Sequence, residues 1–340
     1  MTGTQKKTSL KDIAQAAGVS TSLVSFVLNG KWRQHRISEQ VAEKIMKLAK
    51  EMNYQPNIMA KSLRAGKSQT IGVVVSDISN TFFANLAHHI YSTADKYDYA
   101  VIICSTDENA EKTNTLVDNL LHRGVDGIIL VPCENSEPVV RKLQEMDFPF
   151  VLLDRSFPDL KTSFVRLDSV SASYEATQHL ISQGYNHVAM IAYESKIQHM
   201  VDRVEGYRNA MIDAGLSDSI LVKYVKHGSI TKGCQKAIDS IIENSCDAVV
   251  TATNNISMEC IGYMIDKGIK VPDNLGIVGF DGGRAFDFFY SPISYIKQPL
   301  EVMARKATEI LIEQIEHNGN MTQFIEVSGE LVARKSSSKL

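Results

Sequence analysis

Short stretches of helical periodicity open the chain. The first apolar stripe is Leu10, Ile13, Ala14 and Ala17. This spacing predicts one face of an amphipathic helix. Ser9 stands before the stripe as a helix cap, Asp12 suits the positive helix end, and Gly18 supplies the left-handed residue that ends the helix. The pattern therefore predicts a short helix followed by a tight turn.

A second helix follows directly after this turn. Ser20 caps it and Asn29 and Gly30 end it. Its buried stripe is Leu23, Val24, Val27 and Leu28, and its other face carries Thr21, Ser22, Ser25 and Phe26. A third helix is predicted from Ser38, burying Val41, Ile45, Leu48 and Met52. Two short helices joined by a glycine turn are typical of a helix-turn-helix.

From residue 70 onward, short apolar runs alternate with amphipathic segments. The first strands are predicted at 71–75, 100–104, 127–131 and 150–153, with helices around 83–97, 112–123 and 137–146. A second set has strands at 187–192, 248–253 and 276–280, with helices near 170–182, 201–213, 231–244 and 257–266. Continuous apolar strands separated by helices predict a parallel, doubly wound sheet. Two sets predict an α/β protein with two lobes.

The composition is that of an ordinary globular protein. Of the 340 residues, 44% are apolar and 22% are charged, which excludes collagen-like, low-complexity and disordered classes. The longest aliphatic runs are about five residues, far short of the roughly 20 that span a bilayer, so no membrane association is expected. The polar N-terminus lacks the apolar core of a secretory signal, which predicts a cytoplasmic protein. The five cysteines include no C-x-x-C pair, so no metal site is expected.

The net charge of −3 conceals a difference between the two parts of the chain. Residues 1–66 contain 11 Lys/Arg and four Asp/Glu, a charge of +7, whereas the remaining residues carry −10. Cations neutralise DNA phosphates and release counterions. A basic amino-terminal module on an acidic body is therefore typical of a nucleic-acid-binding domain joined to a regulatory domain.

The same residues carry a resemblance to a known family. The run TSLKDIAQAAGVSTSLVSFVLNG, followed by NYQPN and AKSLR, resembles the amino-terminal domain and hinge of the lactose-repressor (LacI/GalR) family. The resemblance implies a helix-turn-helix DNA-binding domain at 1–55, a hinge helix at 56–68 and a two-lobed type I periplasmic-binding-protein fold. It implies a first lobe of 69–168 and 299–327 and a second of 169–298 and 328–340, with crossings near Asp168, Gln298 and Val327.

The resemblance also assigns DNA contacts. It implies that the second helix lies in the major groove, with Thr21, Ser22 and Phe26 facing base edges and Ser20, Ser25 and Asn29 near phosphates. Most family members carry arginine, the commonest reader of guanine, where this chain has Phe26. Phe26 is therefore expected to contact thymine methyl groups, and the alternative is an aromatic side chain in the core. The slightly longer loop 31–37 holds Lys31, Arg33 and Arg36, which either contact phosphates or are solvated.

The hinge segment has too little apolar surface to be a stable helix alone. The resemblance implies that it folds on DNA, pairs with its two-fold mate in the minor groove and inserts Leu63 between base steps. Asn57 and Ala60 are the other DNA contacts expected in this segment. The alternative interpretation is that Leu63 belongs to a flexible linker.

Polar residues follow several predicted strands, where open α/β sheets bind ligands. Asp154 and Arg155 follow strand 150–153, Asn254 follows strand 248–253, and Asp281 follows strand 276–280. The resemblance maps effector contacts onto Asp154, Arg203, Asn254 and Asp281. Asn80, Phe82 and Phe83, after the first strand, are expected to wall the other side of the cleft.

These side chains predict the chemistry of the effector. Carboxylates with an amide and a guanidinium suit vicinal hydroxyls, and Phe82 suits the face of a sugar, so a small carbohydrate is expected. The alternative for Arg203 and Asp281 is a salt bridge between lobes, and that for Asn254 is a helix cap.

Other classes of function find little support in the sequence. It contains no G-x-G-x-x-G after the first strand, no H-E-x-x-H and no G-x-S-x-G, so neither an enzyme nor a cofactor is expected. The rivals are a sugar-binding receptor without a role on DNA and a regulator that responds to a purine or nucleoside. The C-terminus carries no leucine-heptad helix, so the resemblance implies a homodimer on a pseudo-palindromic operator.

The wedge assigned to Leu63 predicts a selective defect in the variant Leu63→Ala. Alanine keeps helix propensity but removes the apolar wedge, so specific operator binding and the DNA bend should both weaken strongly. Non-specific binding and its salt dependence should stay unchanged because they depend on Lys and Arg. Affinities for operator and random DNA at several salt concentrations, with a bending assay, provide the measurement. Equal losses on both DNAs would identify Leu63 as linker.

Overall fold

The chain folds into two compact units, Met1–Ser68 and Gln69–Leu340, in a computed structural model that describes residues 8–54, 67–317 and 322–339. We call them the amino-terminal and carboxyl-terminal units. Among the helices of these described ranges, none is long and apolar enough to cross a membrane.

The amino-terminal unit contains the three predicted helices, α1 (Leu10–Ala17), α2 (Thr21–Leu28) and α3 (Glu39–Glu51). Ser9 and Asp12 form a reciprocal capping box at the start of α1, and Gly18 ends it with φ +72°. On α3 the most buried residues are Ala42, Ile45 and Ala49. The predicted Val41, Leu48 and Met52 are partly buried and pack against this core.

The carboxyl-terminal unit consists of two six-stranded sheets covered by helices. The first sheet has the order β11-β5-β4-β3-β1-β2, and all its strands are parallel. Its strands are β1 (Thr70–Val75), β2 (Ala100–Ser105), β3 (Gly127–Leu130), β4 (Phe150–Leu153), β5 (Phe164–Leu167) and β11 (Phe324–Val327). Its helices are α4 (Thr81–Asp95), α5 (Ala110–His122), α6 (Glu137–Glu145) and α12 (Leu300–His317). This sheet and its helices form the first lobe.

The second sheet has the order β12-β10-β9-β8-β6-β7, in which only β12 is antiparallel to its neighbour. Its strands are β6 (Val188–Tyr193), β7 (Leu221–Val225), β8 (Ala248–Thr251), β9 (Gly276–Phe280), β10 (Ser294–Lys297) and β12 (Glu330–Val332). Its helices are α7 (Ser169–Ser182), α8 (Gln198–Asp213), α9 (Ile230–Glu243), α10 (Asn254–Asp266) and α11 (Arg284–Phe288). They form the second lobe.

The chain passes between the two sheets three times. It leaves the first sheet after β5 and enters α7 at Asp168, which caps that helix. It returns after β10 through Gln298 into α12, which packs on α4 and on the first sheet. It crosses again between β11 and β12.

The structure adds β5, β7, β10, β11, β12, α11 and α12 to the elements that the hydrophobic pattern predicted. Several of these strands lie at or beside a sheet edge, and some of them, such as β5 and β7, are half-exposed. They therefore lack the continuous apolar run that marks a central strand. The prediction for the strand at 248–253 was too long. It ends at Thr251, and α10 begins at Asn254 because the Thr253 side chain caps that helix.

Helices α7 and α8 approach each other at a glycine. A Cβ atom at Gly206 would lie 2.1 Å from the carbonyl oxygen of Val170 and 2.9 Å from the amide nitrogen of Tyr174. Both of these atoms belong to the backbone of α7, which cannot give way as a flexible side chain does. The absence of a side chain at Gly206 therefore sets the distance between the two helices.

This close approach predicts that Gly206→Ala lowers the free energy of unfolding by about 2–4 kcal/mol, despite the better helix propensity of alanine. Gly262→Ala on α10 is the matched control, since a Cβ there has no atom within 4 Å. That change should stabilise by about 0.5–1 kcal/mol. Urea denaturation of both full-length variants checks the pair, and an unchanged or raised stability of Gly206→Ala would refute the steric explanation.

Candidate functional site

The carboxyl ends of the two sheets face a cavity of about 480 Å³ between the lobes. All eight residues expected to contact an effector line this one cavity. The first lobe contributes Asn80, Phe82, Phe83, Asp154 and Arg155, and the second lobe contributes Arg203, Asn254 and Asp281. Residues from distant parts of the sequence therefore converge because parallel strands end at the same edge of each sheet.

The aromatic wall of the cavity begins at the start of α4. The Asn80 side chain accepts a hydrogen bond from the Phe82 amide at 2.9 Å and so caps this helix. Phe82 and Phe83 pack edge to face, with ring centroids 4.9 Å apart, and both are buried. The helix cap thus fixes two aromatic rings at the cavity.

The two predicted aspartates occupy corresponding places in the two lobes. Asp154 follows β4 with φ +68°, and Asp281 follows β9 with φ +66°. Aspartate tolerates this left-handed backbone better than most residues. The turn of the backbone directly after each strand brings one carboxylate from each lobe to the cavity.

Arg155 forms an ion pair with Glu108, a residue that the sequence did not predict at this site. Its two terminal nitrogens lie 2.8 Å from the two carboxylate oxygens of Glu108, and one of them also donates to the Pro132 carbonyl at 3.2 Å. Although burial opposes ionisation, the charge and hydrogen bonds of Arg155 lower the pKa of Glu108. The protein itself therefore neutralises this guanidinium.

Arg203 lies buried on α8, held by its own lobe. It donates to the carbonyl oxygen of Ala252, and its guanidinium lies 4.2 Å from the ring centroid of Phe280. Asp281 accepts a hydrogen bond from Gln298. The alternative of a salt bridge between lobes fails for Arg203 and Asp281, because both belong to the second lobe and no ion pair within 4.0 Å joins these two described residues.

A pair of amides connects the lobes directly. Asn80 and Asn254 exchange hydrogen bonds at 3.3 and 3.2 Å. Asn254 is the first residue of α10, and the cap of that helix is Thr253, whose hydroxyl accepts from the Ile256 amide at 3.3 Å. The helix-cap alternative is therefore wrong for Asn254, whose side chain faces the cavity.

Burial has left several polar groups in the cavity without full compensation. It raises the pKa of Asp154 to about 6, against the opposing charges of Arg155 and Arg203, and it also raises the pKa of Asp281. Arg203 Nε, His199 Nδ1 and Gln298 Oε1 are buried without a hydrogen-bond partner, and all three residues line the cavity. Such groups are costly unless a ligand or water satisfies them. Within the described residues no cluster could hold a metal ion.

Several lining residues escaped prediction, although the rule of searching strand ends would have found Glu108 and Tyr193. Glu108 follows β2, Tyr193 ends β6, His227 follows β7 and Gln298 follows β10. His227 stacks on Tyr193 with ring centroids 3.6 Å apart. Strands β7 and β10 were not predicted, so their ends could not be searched. His199 lies on the first turn of α8 and had no strand end as a signal.

The predicted DNA contacts of the amino-terminal unit lie along α2. Thr21, Ser22 and Asn29 are exposed, and Ser20 caps the helix through the Leu23 amide at 3.3 Å. Asn29 donates to the Ser25 carbonyl at 2.8 Å. Phe26 is half-buried and stacks on His35 instead of joining the core of Ile13, Val24 and Ile45. Asn57, Ala60 and Leu63 lie outside the described residues.

Comparisons with known proteins cover nearly the whole chain. Residues 9–57 match the family described as bacterial regulatory proteins, lacI family, and residues 68–335 match periplasmic binding proteins and sugar binding domain of LacI family. The chain is 31% identical to the HTH-type transcriptional regulator DegA of Bacillus subtilis, over 98% of this chain and 99% of that protein. It is 31% identical to KdgR, a regulator of the same organism, over 97% of each chain.

Solved structures show the same fold. The lac repressor dimer bound to operator and the anti-inducer ONPF matches with a TM-score of 0.85, at 21% identity over 98% of this chain and all of that one. The transcriptional regulator CelR in complex with cellobiose matches with a TM-score of 0.71, at 23% identity over 97% of this chain and all of that one.

The raised pKa of Asp154 predicts a pH-dependent loss of stability in the ligand-free protein. Below the unfolded value of 3.8 the carboxyl is neutral in both states, and as the pH rises through about 6 the folded state loses the stability that the neutral group provides. Asp154→Asn should therefore raise the free energy of unfolding by about 1–3 kcal/mol at pH 7.5 and by little at pH 4.

Denaturation of both proteins across this pH range provides the measurement. Asp107→Asn is the control, because a hydrogen bond from Lys112 lowers the pKa of this exposed carboxyl. Replacing Asp107 should therefore not raise the free energy of unfolding. An Asp154→Asn protein no more stable than wild type at pH 7.5 would contradict the assignment of a buried, undercompensated carboxylate.

Proposed function

The chain belongs to the LacI family of DNA-binding transcriptional regulators, and from this premise we propose that an uncharged carbohydrate, bound between the two lobes, controls its binding to operator DNA. The observation that carries the proposal is the convergence of eight polar and aromatic residues from both lobes on one cavity, in which several buried hydrogen-bonding groups lack partners. The description of the matched family as a sugar binding domain supports the same class of ligand.

The charge balance of the cavity favours an uncharged ligand. Arg155 is paired with Glu108 and is not available to a ligand anion. Arg203 is the other guanidinium of the lining, and it interacts with the carboxylates of Asp154 and Asp281. Arg155 Nε lies 3.5 Å from Asp154 and offsets part of its charge, whereas Asp77 adds negative charge to the lining. A phosphate or carboxylate group would lie beside these carboxylates, and Arg203 would have to offset its charge as well as theirs, at a cost in electrostatic energy. Hydroxyl groups donate to carboxylates and accept from a guanidinium, so they suit the site.

The shape of the cavity fits the same interpretation. Its volume of about 480 Å³ lies within the range of small-molecule sites. The rings of Phe82 and Phe83 offer an apolar wall to the face of a pyranose or furanose ring. The same wall suits a flat nucleobase, so a nucleoside is the second candidate effector.

The regulatory mechanism follows from the position of the ligand. A sugar that hydrogen-bonds to Asp154 of the first lobe and to Arg203 or Asp281 of the second stabilises the closed arrangement, to which the Asn80–Asn254 pair already contributes. Preferential binding to one arrangement shifts the population toward it. Two copies of the chain bind a pseudo-palindromic operator, each placing α2 in one half-site, and ligand binding changes their affinity for DNA. The chain acts in the cytoplasm as a regulator and has no enzymatic activity of its own.

The proposal predicts which ligands stabilise the protein. In a thermal-shift screen, a neutral mono- or disaccharide should raise the Tm, since a ligand at 100 times its Kd stabilises by about 2.7 kcal/mol. Sugar phosphates and sugar acids should have no effect. The response should be lost in Arg203→Ala and Asp281→Asn, while operator affinity stays within about twofold of wild type.

Arg208→Ala is the matched control, because Arg208 is an exposed arginine on the same helix as Arg203. It should keep the full response. Stabilisation by an anionic sugar alone would overturn the charge argument, and stabilisation by nucleosides alone would favour the second candidate. If Arg203→Ala bound the ligand with wild-type affinity, the cavity would not be the effector site.

A further inference from the structure

The loop after α2 carries a ring that covers the unusual phenylalanine of that helix. The rings of Phe26 and His35 are nearly parallel, with centroids 3.5 Å apart and an interplanar angle of 19°. Phe26 lies on the side of α2 that also carries Ser22, one helical turn earlier. The stacked pair thus sits on the face that α2 turns away from its own core, not within the core.

The loop 31–37 is anchored on both sides of His35. The Lys31 amide donates to the Phe26 carbonyl at 2.9 Å, the His35 amide to the Lys31 carbonyl at 3.2 Å and the Ile37 amide to the Trp32 carbonyl at 3.0 Å. Trp32 and Ile37 pack against the core of the amino-terminal unit. The backbone of His35 is therefore held in place.

The stack restricts the orientation of Phe26. An aromatic ring on a helix surface changes rotamer readily and turns about its terminal torsion, which has broad minima. A second ring lying flat against it leaves one plane favoured, and a ring that contacts a base in the major groove must hold a defined plane to distinguish one base from another. The contact therefore joins the two rings into one stacked plate on the exposed side of the helix.

We propose that His35 is a specificity-determining residue, which positions the ring of Phe26 so that the recognition helix discriminates between bases at one position of each operator half-site. This inference rests on the proposed placement of α2 in the major groove. His35 acts through Phe26, so it is a positioning residue.

The test compares His35→Ala, His35→Phe and Gln34→Ala in the full-length chain. Gln34→Ala is the matched control, since Gln34 is an exposed neighbour in the same loop. His35→Ala should lower the ratio of operator to random-DNA affinity roughly three- to tenfold, the loss expected for one aromatic contact. Selection from random DNA should show a broader base preference at one symmetric pair of positions. His35→Phe should restore both, and Gln34→Ala should change neither.

A double-mutant cycle with Phe26→Ala separates positioning from other roles. If His35 acts through Phe26, His35→Ala has no further effect on base preference in the Phe26→Ala background. Equal losses on operator and random DNA, or an unchanged base preference in His35→Ala, would overturn the proposal, the first outcome indicating a phosphate contact. Should His35→Ala unfold the domain, failure of the folded His35→Phe variant to keep the wild-type preference would overturn it equally.

Two further variants test whether α2 contacts DNA bases independently of the contact between His35 and Phe26. Thr21→Ala and Ser22→Ala change exposed residues of the same helix that do not belong to the stack. If these variants alter the selected motif while the Phe26 and His35 variants do not, α2 reads DNA without the plate. If none of the four alters it, the placement of α2 itself is wrong.

Discussion

Burial of charge at the carboxyl ends of the strands, where the two sheets face each other, is the constraint on which the cleft depends. Transferring an isolated ion from water into a protein interior is so costly that it must be paired, neutralised or given hydrogen bonds. Glu108 and Arg155 pair with each other, the pKa of Asp154 rises to about 6, and Arg203 relies on a carbonyl and an aromatic face. The protein thus compensates the charges of the cleft only in part, and polar groups of a neutral ligand would complete the compensation without adding charge.

Most of the fold was predictable because its signals are local. Continuous apolar runs identified the central strands, and Ser9, Gly18 and Ser20 marked the ends of the first helices. The same reasoning located Asp154 and Asp281, because each follows a central strand directly. It failed for β7 and β10, whose sequences show no continuous apolar run, and so missed His227 and Gln298 at their ends.

The remaining features depend on contacts between distant residues. No spacing in the sequence indicates that Glu108 binds Arg155, that Asn80 meets Asn254 across the cleft, or that His35 lies flat on Phe26. Each of these pairs decides the surroundings of a predicted residue: Arg155 is paired with a carboxylate of its own lobe, Asn254 faces the cleft, and Phe26 lies outside the core. The sequence therefore identified many of the residues that line the cavity, and the tertiary structure showed which side chains they contact.

Coupling between the cleft and DNA is the central claim, and thermodynamic reciprocity tests it most directly. The measurement is calorimetric affinity of the stabilising sugar for the full-length protein, alone and in complex with saturating operator. If the sugar and the operator favour the same arrangement of the protein, or opposite ones, the affinity for the sugar differs by about fivefold or more between the free protein and its operator complex. The affinity for the operator then changes by the same factor when the sugar is present. Identical sugar affinities with and without operator would show that the cleft binds its ligand without controlling DNA binding, and would contradict the account.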